Sequence, residues 1–149
     1  MLPEVTTGCS VRLVFPATDL SVRSAVRQLL SEMPVSALDE DTRSTAEIVL
    51  AEALNNIVEH AYAGAEGEID LRLLREPASL AVEIVDFGRA MPQEKLPQAS
   101  LPDCDALPEG GFGWFLIHTL SKDLTYVRSG PANVLRFKLA IAQDRRVSG

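Results

Sequence analysis

The sequence predicts an α+β two-layer sandwich, with a mixed, mostly antiparallel sheet and its helices packed on one face. Three observations predict it. Five short segments alternate apolar and polar residues as half-buried strands do, and two pairs of them are joined by short turns at Glu76-Pro77-Ala78 and Gly130-Pro131. Three other segments place apolar residues three and four apart, the helical period. The chain has 149 residues, 46% of them hydrophobic, enough for one domain with a single core across residues 1–149.

Taken in order, SVRLVF (10–15) reads as the first strand, closed by Pro16. Thr18 or Asp19 can then cap a helix over LSVRSAVRQLLSEM, because their side-chain oxygens accept from first-turn amides, and Pro34 ends it. A longer helix is expected from about Leu38 to Ala63, with Ser36 as its cap and Gly64 as its stop. Segments 68–76 and 79–87 form a predicted hairpin. Residues 91–109 lose all periodicity and hold four of the nine prolines, so they read as a long ordered loop or a mobile lid. A helix is expected from Gly113 to Lys122, then two strands over DLTYVRS and NVLRFKLAIA.

The net charge of −7 argues against a nucleic-acid or anionic-membrane surface, which needs clustered Lys and Arg, and suits a basic protein partner. No stretch approaches the roughly 18 apolar residues of a membrane span, and the first residues lack a basic region followed by an apolar one. A soluble cytoplasmic protein is the expectation. Cys9 and Cys104 stand alone, and with two histidines the chain predicts neither a disulfide nor a His/Cys metal site.

Three constellations could carry chemistry. In AEALNNIVEHAY, Leu50, Ala53, Leu54, Ile57 and Ala61 make an apolar helix face, while Glu52, Asn56 and His60 form a polar stripe at its margin. That stripe is either an ordinary solvated face or a polyphosphate site. In the second case Asn56 offers Mg²⁺ a neutral oxygen and Glu52 takes a proton from an attacking hydroxyl. In IVDFGRAMP, Asp86 ends an apolar strand two residues before Gly88. It either caps a turn or, buried in a cleft, meets a donor such as the exocyclic amine of adenine. Finally, the glycines of GGFG, Gly110, Gly111 and Gly113 around Phe112, end the long loop and begin a helix, so bare amides and the positive end of the helix dipole coincide. The stretch lacks the lysine of a phosphate-binding Walker loop, and Leu116 replaces the third glycine of a dinucleotide motif.

In this order the three resemble the N, G1 and G2 boxes of the histidine-kinase-like ATPase superfamily. The chain most resembles the small anti-sigma-factor serine kinases of bacterial stress and sporulation switches. Glu52 and Asn56 match ExxxN, with His60 and Tyr62 extending it; Asp86 and Gly88 match DxG; Gly111, Gly113, Leu116 and Ile117 match GxG followed by aliphatics. TYVRSGPANVLRFKL is similar to the family's closing strand pair, so the likeness covers about residues 10–140.

The resemblance implies a Bergerat-type fold binding ATP and Mg²⁺ between the helices and a lid at about 89–110. In it Asp86 would read the adenine amine, Gly88 and the neighbouring Ala90 would admit the base, and Asn56 would hold Mg²⁺, with His60 beside it. Gly110, Gly111, Phe112 and Gly113 would close on the phosphates, and Glu52 would be the general base toward a partner serine. The implied partners are an anti-anti-sigma (STAS-domain) protein and a sigma factor, bound by a homodimer. Two departures matter: Ala90 stands where many relatives have a second glycine, and Lys95 is the single basic residue from 91 to 109. The thin lid charge favours an alternative of the same fold, a non-catalytic, nucleotide-gated binding module.

Overall fold

The computed structural model describes residues 8–97 and 111–141. Strands β1 (Ser10–Pro16), β2 (Glu68–Arg75), β3 (Ser79–Asp86), β4 (Lys122–Ser129) and β5 (Ala132–Ala140) form one sheet in the order β1-β2-β3-β5-β4. All four pairings are antiparallel, so the sheet is not mixed among the described residues. Alternation decides which face is buried. Ile69, Leu71 and Leu73 of β2, Leu80, Val82 and Ile84 of β3, and Leu135, Phe137 and Leu139 of β5 are buried together in the core. The helices contribute Val22, Val26 and Leu29 from α1 (Asp19–Ser31), Val49, Leu50 and Leu54 from α2 (Glu40–Asn56), and Ile117 from α3 (Gly111–Leu120). A one-residue register slip would send each of these strand side chains to the opposite face.

That opposite face mixes ion pairs with exposed Val14, Leu74 and Val127. Arg12 pairs with Asp70 at 2.7 Å, Arg136 with Glu83 at 2.8 Å and Lys138 with Glu76 at 3.1 Å. Exposed pairs of this kind add about 0–1 kcal/mol each.

Helix ends follow local chemistry, with corrections to the expected boundaries. Thr18 caps α1, its Oγ1 accepting from the Ser21 amide at 3.1 Å, and the helix stops at Ser31, before Met33. The cap of α2 is Asp39, not Ser36: Leu38 is extended and buried, and Ser36 is absorbed in a single 3₁₀ turn over Val35–Ala37. Asp39 accepts from the Thr42 amide at 3.0 Å and from its hydroxyl at 2.5 Å, and the hydroxyl bond is the main cause holding its pKa low.

The expected single helix to Ala63 also changes form. After Asn56 the chain widens to π-helical turns over Ile57–Tyr62, closed by an Ala63 amide bond to the Val58 carbonyl at 3.1 Å. Ala63 then takes a left-handed φ of 49°, and Gly64 follows at +91°. Helix α3 starts two residues earlier than expected and ends at Leu120, and β5 ends at Ala140. Of the predicted loop, Pro92–Glu94 is a short 3₁₀ turn, and residues 98–110 lie outside the described residues.

Candidate functional site

The end of α2 and its π-helical extension meet the end of β3 and the start of β5 around a cavity of about 510 Å³. Ala53, Ile57, Ala61, Ala90, Met91 and Leu135 supply apolar walls, and Asn56, Asp86, Tyr126 and Asn133 bring polar groups to it. An apolar cavity with a few convergent polar groups is the usual form of a small-molecule site.

Asp86 is 3% exposed. Its Oδ1 accepts from the Gly88 amide at 2.9 Å and from Asn133 Nδ2 at 2.8 Å, so the turn-capping reading is correct. The turn occupies one oxygen only. Among the described residues no donor bonds Oδ2, and Asp86 lines the cavity. Burial raises its pKa, while Asn133, the Gly88 amide and Arg128 pull it partly back.

Gly88 explains how the loop after Asp86 lies so close to the helix. A Cβ there would sit 2.5 Å from the carbonyl carbon and oxygen of Ala61, and the next amide, Arg89 N–H, donates to that carbonyl at 2.8 Å. Backbone cannot yield as a flexible side chain does. Gly88→Ala should therefore cost about 1–3 kcal/mol of stability, the range for overpacking, read as a lower urea midpoint with an unchanged slope.

The polar stripe divides. Asn56 is buried, and its Nδ2 is the one buried side-chain polar atom among the described residues without a hydrogen bond. An amide flip can present the oxygen there instead. Left unpaired, either end costs about 1–3 kcal/mol, a cost that a bound ligand relieves. Glu52 is half-buried one turn earlier. Against both lies the first turn of α3: a Cβ on Gly113 would be 3.0 Å from Glu52 Oε2 and 3.4 Å from Asn56 Nδ2. Glycine thus permits a close helix approach and brings the third constellation onto the first.

His60 lies on the cavity wall with its ring largely exposed, 3.8 Å from the Glu59 carboxylate, and its carbonyl accepts from Arg89 Nε at 2.7 Å. Ala90 lines the cavity. Gly111 and Phe112 open α3, whereas Gly110 lies outside the described residues. No cluster of three or more His, Cys, Asp or Glu side chains suited to a metal occurs among the described residues.

Tyr62 ties the site to the sheet. Its hydroxyl donates to the Glu68 carbonyl at 2.5 Å and accepts from the Phe87 amide at 2.9 Å, and burial raises its pKa. Tyr62→Phe leaves both backbone groups without this partner and should lower unfolding free energy by about 1–3 kcal/mol in denaturant titration.

Sequence reasoning missed Asn133, Tyr126 and Arg128. Asn133 is 4% exposed and sits opposite Asp86 in the β3–β5 register. Its only local signal is a polar residue in line with Leu135, Phe137 and Leu139, the inward-facing positions of β5.

Comparison with known proteins agrees with this fold. A family profile described as "Histidine kinase-like ATPase domain" matches residues 15–139. The serine-protein kinase RsbW of Oceanobacillus iheyensis is 34% identical over 84 residues, covering 52% of this chain and 53% of that protein. RsbW of Listeria monocytogenes is 36% identical over 84 residues (52% and 54%), and that of Bacillus cereus 31% over 97 residues (62% and 61%). The chain thus spans about half the length of the curated relatives it matches. In fold it is similar to the crystal structure of the RsbU and RsbW domains of Rv1364c from Mycobacterium tuberculosis. That match has a TM-score of 0.56 at 15% identity and covers 91% of this chain and 33% of that one. No helix among the described residues is long and apolar enough to cross a membrane.

Proposed function

The chain belongs to the histidine kinase-like ATPase domain family, and from that premise we propose that it is an ATP-dependent protein serine/threonine kinase of the anti-sigma-factor type. One observation carries the reading. A buried carboxylate, Asp86, keeps one oxygen unbonded among the described residues in an apolar cavity, while Gly113 brings the first turn of α3 against Glu52 and Asn56.

In this reading the adenine ring enters the apolar cavity and its amine donates to Asp86 Oδ2, the oxygen that the turn does not use. Ala90 presents only a methyl group to the cavity, Gly88 lets the loop lie against Ala61 so that the wall holds its shape, and His60 stands on the same wall. The glycine-rich start of α3, Gly111, Phe112 and Gly113, faces the phosphates with helix-terminal amides, and Gly110, outside the described residues, is proposed to share that role.

The donor set fits Mg²⁺ with the Asn56 amide flipped: among the described residues its buried Nδ2 has no partner, the flip puts the oxygen there, and Mg²⁺ takes only one or two protein oxygens beside phosphate and water. When bound, the ion neutralises phosphate charge. Glu52 removes the proton of a partner serine as its oxygen bonds to the γ-phosphorus, and the bond from that phosphorus to the β,γ-bridging oxygen breaks to release ADP. Positioning and charge supply most of such catalysis, and the base adds about 10²–10⁴ in rate.

The partner is an anti-anti-sigma (STAS-domain) protein phosphorylated on serine, and a sigma factor or analogous regulator is sequestered by a homodimer. The RsbW proteins named above are serine-protein kinases, which supports this choice. Lys95 is the sole basic residue between 91 and 109, and it favours the second reading, a nucleotide-gated module without transfer.

The deciding experiment incubates the chain with Mg²⁺, γ-labelled ATP and a STAS-domain partner. Label on a partner serine is the expected result. Nucleotide-dependent complex formation without label would establish the module instead.

A further inference from the structure

The stretch Gly88–Met91 lies outside any helix or strand, with Arg89, Ala90 and Met91 on the cavity wall, so its backbone groups must find partners elsewhere. Ala61 takes one of them, the Arg89 amide. Asp86 takes the Gly88 amide, and three further groups, the Gly88 and Arg89 carbonyls and the Met91 amide, are met by side chains of the β4–β5 hairpin, about 40 residues further along the chain. Arg128 Nη1 donates to the Gly88 carbonyl at 2.7 Å and to Asn133 Oδ1 at 3.0 Å. Asn133 Nδ2 reaches the Arg89 carbonyl at 3.0 Å as well as Asp86. The Tyr126 hydroxyl accepts from the Met91 amide at 3.0 Å and donates to Asn133 Oδ1 at 2.5 Å.

The pattern along β4 makes this possible. Tyr126 and Arg128 are two residues apart and half-buried on one face, while Val127 between them points outward and is exposed. Near the start of the strand that inner face carries Leu124, packed against the core. Toward its end, the same face carries Tyr126 and Arg128, side chains with apolar stems and polar tips; the Tyr126 ring still packs against the core, and both tips reach the loop.

We propose that Tyr126 and Arg128 are positioning residues for the nucleotide, holding the Gly88–Met91 backbone and, through Asn133, the Asp86 carboxyl in the shape that accepts the base. This role rests on the nucleotide-binding reading above. Neither side chain has to touch a reacting atom. Arg128 also adds a positive charge near Asp86, whose other ionisable surroundings are Tyr62 from the π-helical turns and His60 and Arg89 on the cavity wall.

Three variants of the full chain test it: Tyr126→Phe, which keeps the ring; Arg128→Leu, which removes the charge; and Arg128→Lys, which keeps charge without the planar fork. Affinity for ATP with Mg²⁺ is measured by calorimetry across pH, and amide hydrogen exchange of Gly88–Met91 is measured without nucleotide. Tyr126→Phe should stay folded, exchange faster over Gly88–Met91, and bind ATP about two- to tenfold more weakly, the worth of one hydrogen bond.

Arg128→Leu should weaken binding and move upward the pH at which affinity is lost, whereas Arg128→Lys should weaken binding without moving it. A purely structural role would not separate the last two variants. Folded Tyr126→Phe and Arg128→Leu proteins with wild-type affinity and exchange would overturn the proposal. A wild-type protein without ATP affinity would overturn the nucleotide reading and this role with it. Exchange in the nucleotide-free variants would still show whether the clamp exists, so the two failures are told apart.

Discussion

Asp86→Asn should weaken ATP binding by about 1.5–3 kcal/mol, roughly ten- to 150-fold in Kd, the loss of a hydrogen bond to a charged acceptor. The substitution keeps an oxygen that can accept from the Gly88 amide and Asn133, so the turn survives. What changes is the second atom: an NH₂ group stands where Oδ2 faced the cavity, and two donors meet. Calorimetry checks the affinity, and a thermal melt checks that the fold is intact. An unchanged Kd would remove Asp86 from base recognition.

The same group sets a pH dependence. Burial raises the Asp86 pKa, so the charged, accepting form is present above that raised value and is lost as pH falls through it. ATP affinity should therefore begin to fall at a pH above the usual carboxylate range. The stability effect has the opposite sign: a raised acid pKa means that folding favours the proton, so the cost of burying this charge appears as pH rises from the unfolded to the folded value. Asp86→Asn should remove this contribution from both dependences, leaving those of other carboxyls such as Asp39 in place, which titrations of Kd and unfolding free energy against pH would show.

Glu52→Ala should leave ATP affinity near that of the wild type and reduce phosphate transfer to a partner serine by about 10²–10⁴. Glu52 is half-buried against Gly113, where a Cβ would come within 3.0 Å of its Oε2, so truncation alone could loosen that close contact. Glu52→Gln keeps the volume and removes the base. Both variants should bind nucleotide and fail to transfer label. Transfer at the wild-type rate in either would assign the base elsewhere and favour a chain in which Glu52 only supports α3.

Much of the fold was legible because it is written locally. Alternation in EIDLRLLRE and SLAVEIVDF, with Pro77 between them, dictates two strands with one apolar face each, and the structure pairs Leu71 with Ile84 in that hairpin. Thr18 caps its helix as its side chain allows. The second helix was harder. An apolar face at 3.6-residue spacing runs through Ile57 and Ala61, and nothing in that spacing marks the change to wider turns after Asn56. Asp39 displaced Ser36 as the cap because burial of Leu38 fixes where the helix can begin.

The sequence by itself determined the elements, the apolar face of each strand and the ordered residues Glu52, Asn56, Asp86, Gly88 and Gly113. Backbone preference and side-chain periodicity act over a few residues, and those features need no more. Only the tertiary structure decided which side chains meet. Register places Asn133 opposite Asp86 across 47 positions of chain, the end of β4 swings Tyr126 and Arg128 over Gly88–Met91, and packing of α3 on α2 sets Gly113 against Glu52. Such contacts depend on how strands pair and helices pack, and no local spacing of residues specifies that.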